Sequence, residues 1–106
     1  MRSIWRRYEV LLPLQFNDGR DVPREWLAEA SAEVATQFGA DSYENQKVEG
    51  HWQKGGLVYR ESMARLFVDV PDTEASREWM HRFKSRWQAR LEQHELWMVS
   101  FSVDVE

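Results

Sequence analysis

The order of apolar patterns along the chain predicts an α+β sandwich whose elements follow the order βαββαβ. Three observations support this fold class. Stretches near both ends and in the middle alternate apolar and polar residues, which is typical of strands with one buried face. Two segments between them carry apolar residues at helical spacing. A Gly55-Gly56 pair in the longest extended stretch indicates a hairpin, because glycine readily adopts the positive φ angles of tight turns.

The first strand and the first helix are predicted within residues 8–39. Alternation over residues 8–16 predicts the strand, and Asn17-Asp18-Gly19 supplies turn residues. Pro23 favours the start of a helix, since a missing amide hydrogen is harmless in the first turn, and Gly39 should end it. The apolar side of this helix comprises Trp26, Leu27, Ala30, Val34 and Phe38.

The central hairpin should have arms at residues 42–54 and 57–70. A two-residue loop at the glycines would place six residues on one side of the sheet in three cross-strand pairs. These pairs are Trp52 with Tyr59, Val48 with Met63, and Glu44 with Phe67. The opposite side is the better candidate for the helix-covered face, because its residues in the second arm are apolar. They are Ala64, Leu66, Val68 and Val70.

The second helix and the last strand complete the pattern. Asp72 or Thr73 should cap the helix, because their side-chain oxygens can accept hydrogen bonds from its first amides. The apolar stripe of the helix comprises Ala75, Trp79, Met80, Phe83, Trp87 and Leu91. Alternation over residues 96–105 predicts the final strand. Together these elements predict a ferredoxin-like βαββαβ fold, with a four-stranded antiparallel sheet, both helices on one face and a long central hairpin.

Length, composition and charge limit the classes of protein. The 106 residues, 42% of them hydrophobic, should form a single domain, residues 1–106. A net charge of −4 makes nucleic-acid binding unlikely, because the protein as a whole repels phosphate. The absence of cysteine excludes disulfides and thiolate chemistry and suits a cytoplasmic location. No apolar run approaches the ~18 residues of a membrane span, and we expect neither a membrane partner nor a cleaved signal peptide.

Two alternatives are open for the large residues near the hairpin turn. A β-bulge at Gly50 or around Glu61-Ser62 would switch the faces and turn Trp52 and Tyr59 towards the core. Otherwise the arms, about 40 Å long at ~3.3 Å per residue, would extend beyond the helices and carry both aromatic residues on an exposed overhang.

An overhanging arm and the uncovered face of the sheet would form one apolar surface, which a monomer rarely leaves in water. We therefore expect a homodimer, with another protein partner or a small ligand as the alternatives. The predicted interface residues are Leu11, Val48, Trp52, Tyr59, Met63, Phe67, Leu96 and Met98.

The strongest set of acid–base residues lies on the same hairpin. It comprises the weak catalytic candidates His51, Tyr59, Arg60 and Glu61. His51 would lie opposite Arg60, while Tyr59 and Glu61 would project from the other side, so a common pocket requires a distortion. An exposed polar pair is the simpler interpretation. The sequence carries no cofactor fingerprint and no helical pair of histidines at metal-ligand spacing, so we expect no cofactor and no metal.

The second helix is basic, with Arg77, Arg82, Lys84, Arg86 and Arg90. Its aromatic residues have core spacing and do not lie among the basic ones, which argues against a platform for stacking bases. A solvated helix with ion pairs, such as Glu78 with Arg82, is favoured over RNA binding.

Three segments resemble a group of short uncharacterised bacterial proteins with a ferredoxin-like fold. They are DGRDVPREW at residues 18–26, GHWQKGGLVYRES at 50–62 and VDVPDTEASREW at 68–79. The resemblance implies a bacterial domain, no known activity and no catalytic residue. We therefore expect a homodimeric interaction or regulatory module that uses the exposed sheet face and the hairpin. The alternative is a small cofactor-independent enzyme or ligand binder with a cleft near the hairpin.

Overall fold

The computed structural model describes residues 4–51 and 58–106, with the backbone alone for Tyr43 and for residues 45–51 and 58–61. Within these ranges the chain forms strands and helices in the predicted order. They are β1 (Trp5–Pro13), α1 (Arg24–Phe38), β2 (Ser42–His51), β3 (Val58–Pro71), α2 (Glu74–Arg90) and β4 (Met98–Val103). The α+β class is confirmed.

The strands form one antiparallel sheet in the order β2-β3-β1-β4. The central strand β1 pairs with β3 from Trp5↔Pro71 to Pro13↔Met63. On its other side it pairs with β4, beginning at Trp5↔Val103. β1 starts earlier than the alternation indicates and stops at Pro13.

One face of the sheet packs against both helices and forms the core. Alternate residues of β1 and β3 are buried there, as the period of two dictates. The strand residues are Tyr8, Val10, Leu12, Ala64, Leu66, Val68 and Val70. The helices and the segment before β4 contribute Ala30, Val34, Met80, Phe83, Trp87, Leu91 and Leu96. The face that the sequence assigned to the core of β3 is the one the helices cover.

The helix ends follow their local chemistry. Thr73 caps α2, because its Oγ1 accepts a hydrogen bond from the Ser76 amide at 3.1 Å. Gly39 ends α1 in the left-handed conformation, with φ of 91°, and its amide donates to the Ala35 carbonyl at 2.7 Å. Neither α1 nor α2 has the length and apolar character that crossing a membrane requires, within the residues described.

The pairing of the hairpin differs from the expected register. Val48 lies opposite Glu61 and not Met63, and Glu44 lies opposite Arg65 and not Phe67. This is a slip of two residues, which leaves every residue on its predicted side of the sheet. The observed register places Glu44 directly opposite Arg65, and its carboxylate lies 3.2 Å from the guanidinium.

The end of the hairpin extends past the end of β1. The last contact with the β1 segment is the Leu14 amide, which donates to the Ser62 carbonyl at 3.1 Å. Beyond it, within the part of the chain that the structure describes, residues 48–51 pair with residues 58–61 and with no third strand. We call these residues the hairpin arm. Its ladder is regular through Gly50 and through Glu61-Ser62, so a β-bulge at these positions is ruled out.

We expect Thr73→Ala to lower the free energy of unfolding by about 1 kcal/mol, because the first turn of α2 loses its side-chain acceptor. Thr73→Ser keeps the hydroxyl and is the matched control. Urea denaturation followed by circular dichroism measures both. Equal losses in the two variants would contradict the capping role of this oxygen.

Candidate interaction surface

The side of the sheet that points away from both helices is called here the open face. It carries the residues that alternate with the buried ones, and the register of β4 aligns Val99 with Glu9 and Phe101 with Arg7. Its members on β1 and β3 are Trp5, Arg7, Glu9, Leu11, Met63, Arg65, Phe67 and Asp69. Its members on the outer strands include Ser42, Glu44, Val99, Phe101 and Val103.

The centre of the open face is a network of opposite charges. Arg7 donates two hydrogen bonds to Asp69, at 2.7 and 2.9 Å. Arg65 bridges two carboxylates, Glu9 at 3.0 Å and Glu44 at 3.2 Å. Each guanidinium therefore meets a carboxylate on the neighbouring strand, and the paired geometry strengthens both contacts.

A single aromatic ring lies within this network. The guanidinium carbons of Arg7 and Arg65 lie 5.3 and 4.3 Å from the centroid of the Phe67 ring. Both distances are within the range of a cation–π attraction. Phe67 is therefore half-buried, and its ring is partly covered by charged side chains.

The Arg7–Asp69 pair shifts the titration of both groups. Hydrogen bonding from the guanidinium lowers the pKa of Asp69 below its ordinary value, against a smaller opposing effect of burial. The same hydrogen bond raises the pKa of Arg7. The carboxylate is therefore ionised throughout the physiological range, and the pair contributes to stability there.

The edge of the open face is apolar. Trp97 is 53% exposed and Phe101 is 43% exposed, with Val99 and Val103 half-buried between and beyond them. The Leu11 amide donates to the Trp97 carbonyl at 3.0 Å, which continues the β1–β4 ladder by one residue and places Trp97 in line with Val99. We call these four residues the β4 row. Three of them lie on β4, an outer strand of the described sheet, and Trp97 lies just before it.

Leu96 and Met98 do not lie on the open face, contrary to the predicted interface. Leu96 is 1% exposed in the core, and Met98 lies opposite Val10 and packs against the core. The small Ser100 fits the helix side of β4 opposite Tyr8, where Arg6 donates to its Oγ at 3.2 Å. β4 thus turns towards the helices the side that was predicted to be uncovered. Its large alternating residues lie on the uncovered side.

The other predicted interface residues are only partly described. Leu11, Met63 and Phe67 are half-buried on the open face, but the charged network separates them from one another. Val48 and Tyr59 lie in the hairpin arm, where the structure describes the backbone alone. Trp52 lies outside the described residues. The surface is therefore a charged centre with an apolar edge, and not one continuous apolar patch.

The acid–base candidates occupy positions in the hairpin arm. His51 pairs with Val58 and not with Arg60, which lies opposite Glu49. Tyr59 and Glu61 lie opposite Gly50 and Val48. The structure describes only the backbone of these residues, so catalysis at the hairpin stays a prediction. Among the side chains that are described, no three histidine or carboxylate groups are placed to hold a metal ion.

The basic residues of α2 pair with carboxylates on other elements. Lys84 lies 2.9 Å from Glu95, and Arg90 lies 2.8 Å from Glu29 on α1. Arg86 lies 3.6 Å from Glu33, also on α1. The pairs are thus made between elements, and not within the helix as expected. They neutralise much of the positive charge that had raised the question of RNA binding.

The charged network was not predicted, although a signal for it exists. Opposite charges occupy the polar positions of β1 and β3, and each lies beside its partner once the two strands are aligned. That alignment cannot be read from either strand alone. A search for directly opposed charges would have found Arg7 with Asp69 but not Glu9 with Arg65, which are diagonal neighbours opposite Phe67 and Leu11.

A second feature lies at the end of the sheet from which the hairpin arm extends. A cavity of about 550 Å³ opens between the start of α1, the end of β1 and the end of α2. Its apolar wall includes Leu27, Trp26 and Trp87, and its charged residues are Asp21 and Arg24. The size and mixed character are typical of small-molecule sites.

These features define a small α+β protein with one helix-covered sheet face, one uncovered face and an end cavity. A phage SAM lyase in complex with S-methyl-5'-thioadenosine has a similar structure, with TM-score 0.72 and 8% identity over 94% of this chain and 82% of that chain. CutA from Synechococcus elongatus gives 0.64 and 8% over 97% and 80%. A Bacillus cereus protein related to NIF3 gives 0.61 and 11%, over 99% of this chain and 27% of that one.

These likenesses show the fold alone, because so few residues are identical. No protein-family model and no curated protein matches the sequence. Function must therefore be argued from the surfaces of this chain.

We expect Asp69→Asn to lower the free energy of unfolding by about 1 kcal/mol at neutral pH, since a half-exposed paired carboxylate is lost. Because the folded pKa of Asp69 is lowered, its contribution is complete above its unfolded pKa of about 4 and disappears as the pH falls through the folded value. Urea denaturation at pH 7 and at about pH 3 measures the difference, which should shrink towards the lower pH.

Asp104→Asn, at an exposed position after β4, is the matched control and should change little at either pH. A loss in Asp69→Asn that stays constant with pH would contradict the ion-pair interpretation.

Proposed function

We propose that the protein is a ferredoxin-like interaction or regulatory module that forms a homodimer through its open face and hairpin arm. The observation that carries this proposal is the β4 row, in which Trp97 is 53% and Phe101 43% exposed along one side of an outer strand. Exposed aromatic residues of this kind attract another chain, because their apolar surface gains from burial.

The charged centre favours a second copy as the occupant. Arg7 and Arg65 face three carboxylates, Asp69, Glu9 and Glu44, so the centre holds both signs of charge side by side. A two-fold axis presents the same patch on both partners, and a patch that contains both signs can be complementary to itself. Because each charge already has a partner, covering the network costs less than covering isolated charges.

The dimensions argue that the arm takes part. Four strands about 4.8 Å apart, taken over the nine residues of β1 at ~3.3 Å per residue, give a face of roughly 600 Å² in projection. A stable dimer usually buries about 800 Å² on each partner. The hairpin arm, two strands of four residues, adds roughly 130 Å² in projection and brings the surface closer to that area, whereas the β4 row alone would remain far below it.

The ferredoxin-like assignment is supported by the strand order and by both helices packing in one core against one face. The phage SAM lyase and CutA share the arrangement at TM-scores of 0.72 and 0.64. A cytoplasmic location and a bacterial origin are also part of this proposal.

We expect Phe101→Glu to convert the dimer to a monomer, because the change replaces an aromatic contact of the β4 row with a charge that must lose its water when the partner covers it. Light scattering coupled to size exclusion at about 50 µM protein measures the mass. The exposure of Phe101 in the single chain means that the substitution should leave the unfolding free energy nearly unchanged.

Ala28→Glu, on an exposed position of α1, adds the same charge to the opposite side of the molecule and should remain dimeric. A monomeric wild-type protein at this concentration would refute the proposal. So would a Phe101→Glu protein with the mass of a dimer.

A second substitution tests the arm separately from the face. We expect Tyr59→Ser to weaken the dimer at least tenfold, because Tyr59 lies in the arm opposite Gly50 and one large aromatic contact with the partner would be lost. Sedimentation equilibrium gives the dissociation constant. An unchanged constant would remove the arm from the interface and leave the open face in it.

The alternative function is a small cofactor-independent enzyme or ligand binder with a cleft near the hairpin. His51, Tyr59, Arg60 and Glu61 stay its catalytic candidates. The end cavity favours a ligand binder within this alternative, because the cavity lies at the end of the sheet from which the arm extends.

A further inference from the structure

The end cavity has the properties of a preformed site for a small amphipathic molecule. Leu12, Leu91 and Trp87 form its floor and are nearly inaccessible to solvent, while Trp26 and Leu27 are half-buried at its side. Its volume of about 550 Å³ is large enough for an aromatic metabolite.

The two tryptophans are held in place by contacts with residues that do not line the cavity. The Trp87 indole nitrogen donates to Glu33 Oε2 at 2.9 Å, and Phe16 packs edge-on against Trp26 with centroids 5.7 Å apart. The Arg90 guanidinium lies 4.1 Å from the Trp26 centroid and 4.7 Å from that of Trp87. A ligand would therefore meet an ordered aromatic wall and would lose little affinity in fixing it.

Two opposite charges lie beside this wall. Asp21 and Arg24 both line the cavity, and within the described chain neither forms an ion pair, with the other or elsewhere. Asp21 has one polar side-chain partner there, since its Oδ1 accepts from Gln15 at 3.3 Å. The cavity thus offers one carboxylate and one guanidinium to the same occupant.

We infer that the end cavity binds a free α-amino acid with a large apolar side chain. The α-carboxylate pairs with the Arg24 guanidinium and the α-ammonium with the Asp21 carboxylate. The apolar side chain packs against Trp26 and Trp87. A simple anion or a simple cation would satisfy one charge and be repelled by the other, so the zwitterion is the preferred ligand.

Three probes of one shape test this inference by isothermal titration calorimetry of the full chain. L-phenylalanine carries both charges, 3-phenylpropionate lacks the ammonium, and phenethylamine lacks the carboxylate. We expect L-phenylalanine to bind with one site per chain and a dissociation constant of about 1 mM or below. Each of the other two should bind at least tenfold more weakly. Absence of L-phenylalanine binding, or equal binding of all three, would overturn the inference.

Substitutions of Arg24 and Asp21 test which charged group of the ligand each side chain binds. Arg24→Gln should weaken L-phenylalanine to the level of phenethylamine, and Asp21→Asn should weaken it to the level of 3-phenylpropionate. Arg82→Gln and Asp104→Asn, both at exposed positions away from the cavity, are the matched controls and should bind like the wild type. Unchanged binding in Arg24→Gln or Asp21→Asn would place the ligand elsewhere.

This site is independent of the proposed dimer, so the two can fail separately. Phe101→Glu removes the interface and leaves the cavity lining untouched. The monomeric variant should therefore bind L-phenylalanine as the wild type does, and loss of binding with the dimer would refute a site contained in one chain.

Discussion

The alternation of β1 is the constraint on which the rest of the structure depends. Its residues on one side, among them Tyr8 and Val10, enter the core beneath both helices. Its residues on the other side, Arg7 and Glu9, form ion pairs with β3. Because β1 is the central strand, a change of its facing would expose the core and bury two charges at once. The two faces of the sheet both follow from this one pattern.

The sequence was sufficient wherever local chemistry decides. Thr73 as a cap, Gly39 as a helix end and the buried side of β3 each depend on a residue type and its immediate spacing. The register of the hairpin was predicted wrongly, because a slip of two residues leaves the alternation unchanged. Only the partner strand distinguishes the two registers, here through Glu44 and Arg65.

The face of β4 shows why alternation alone is insufficient. The alternation indicates only that the two sides of this strand differ. The prediction assigned the larger apolar residues to the covered side. In the structure Phe101 and Trp97 are exposed, while Ser100 and Met98 lie on the side of the helices. A bulky neighbour such as Tyr8 fills the space on the covered side, so the edge strand has room there for small residues only. The exception coincides with the proposed interface, where local rules are expected to fail.

The topology of β1 also governs how quickly the molecule can reach its folded state. Trp5 and Val103 are opposite one another although they lie near the two ends of the described chain, and β3 likewise reaches β1 across two intervening elements. Pairings between such distant segments give a high contact order, which slows folding because the connecting chain must first be brought together. Until these distant segments have come together, the apolar side of β1 is accessible to chaperones or to other chains.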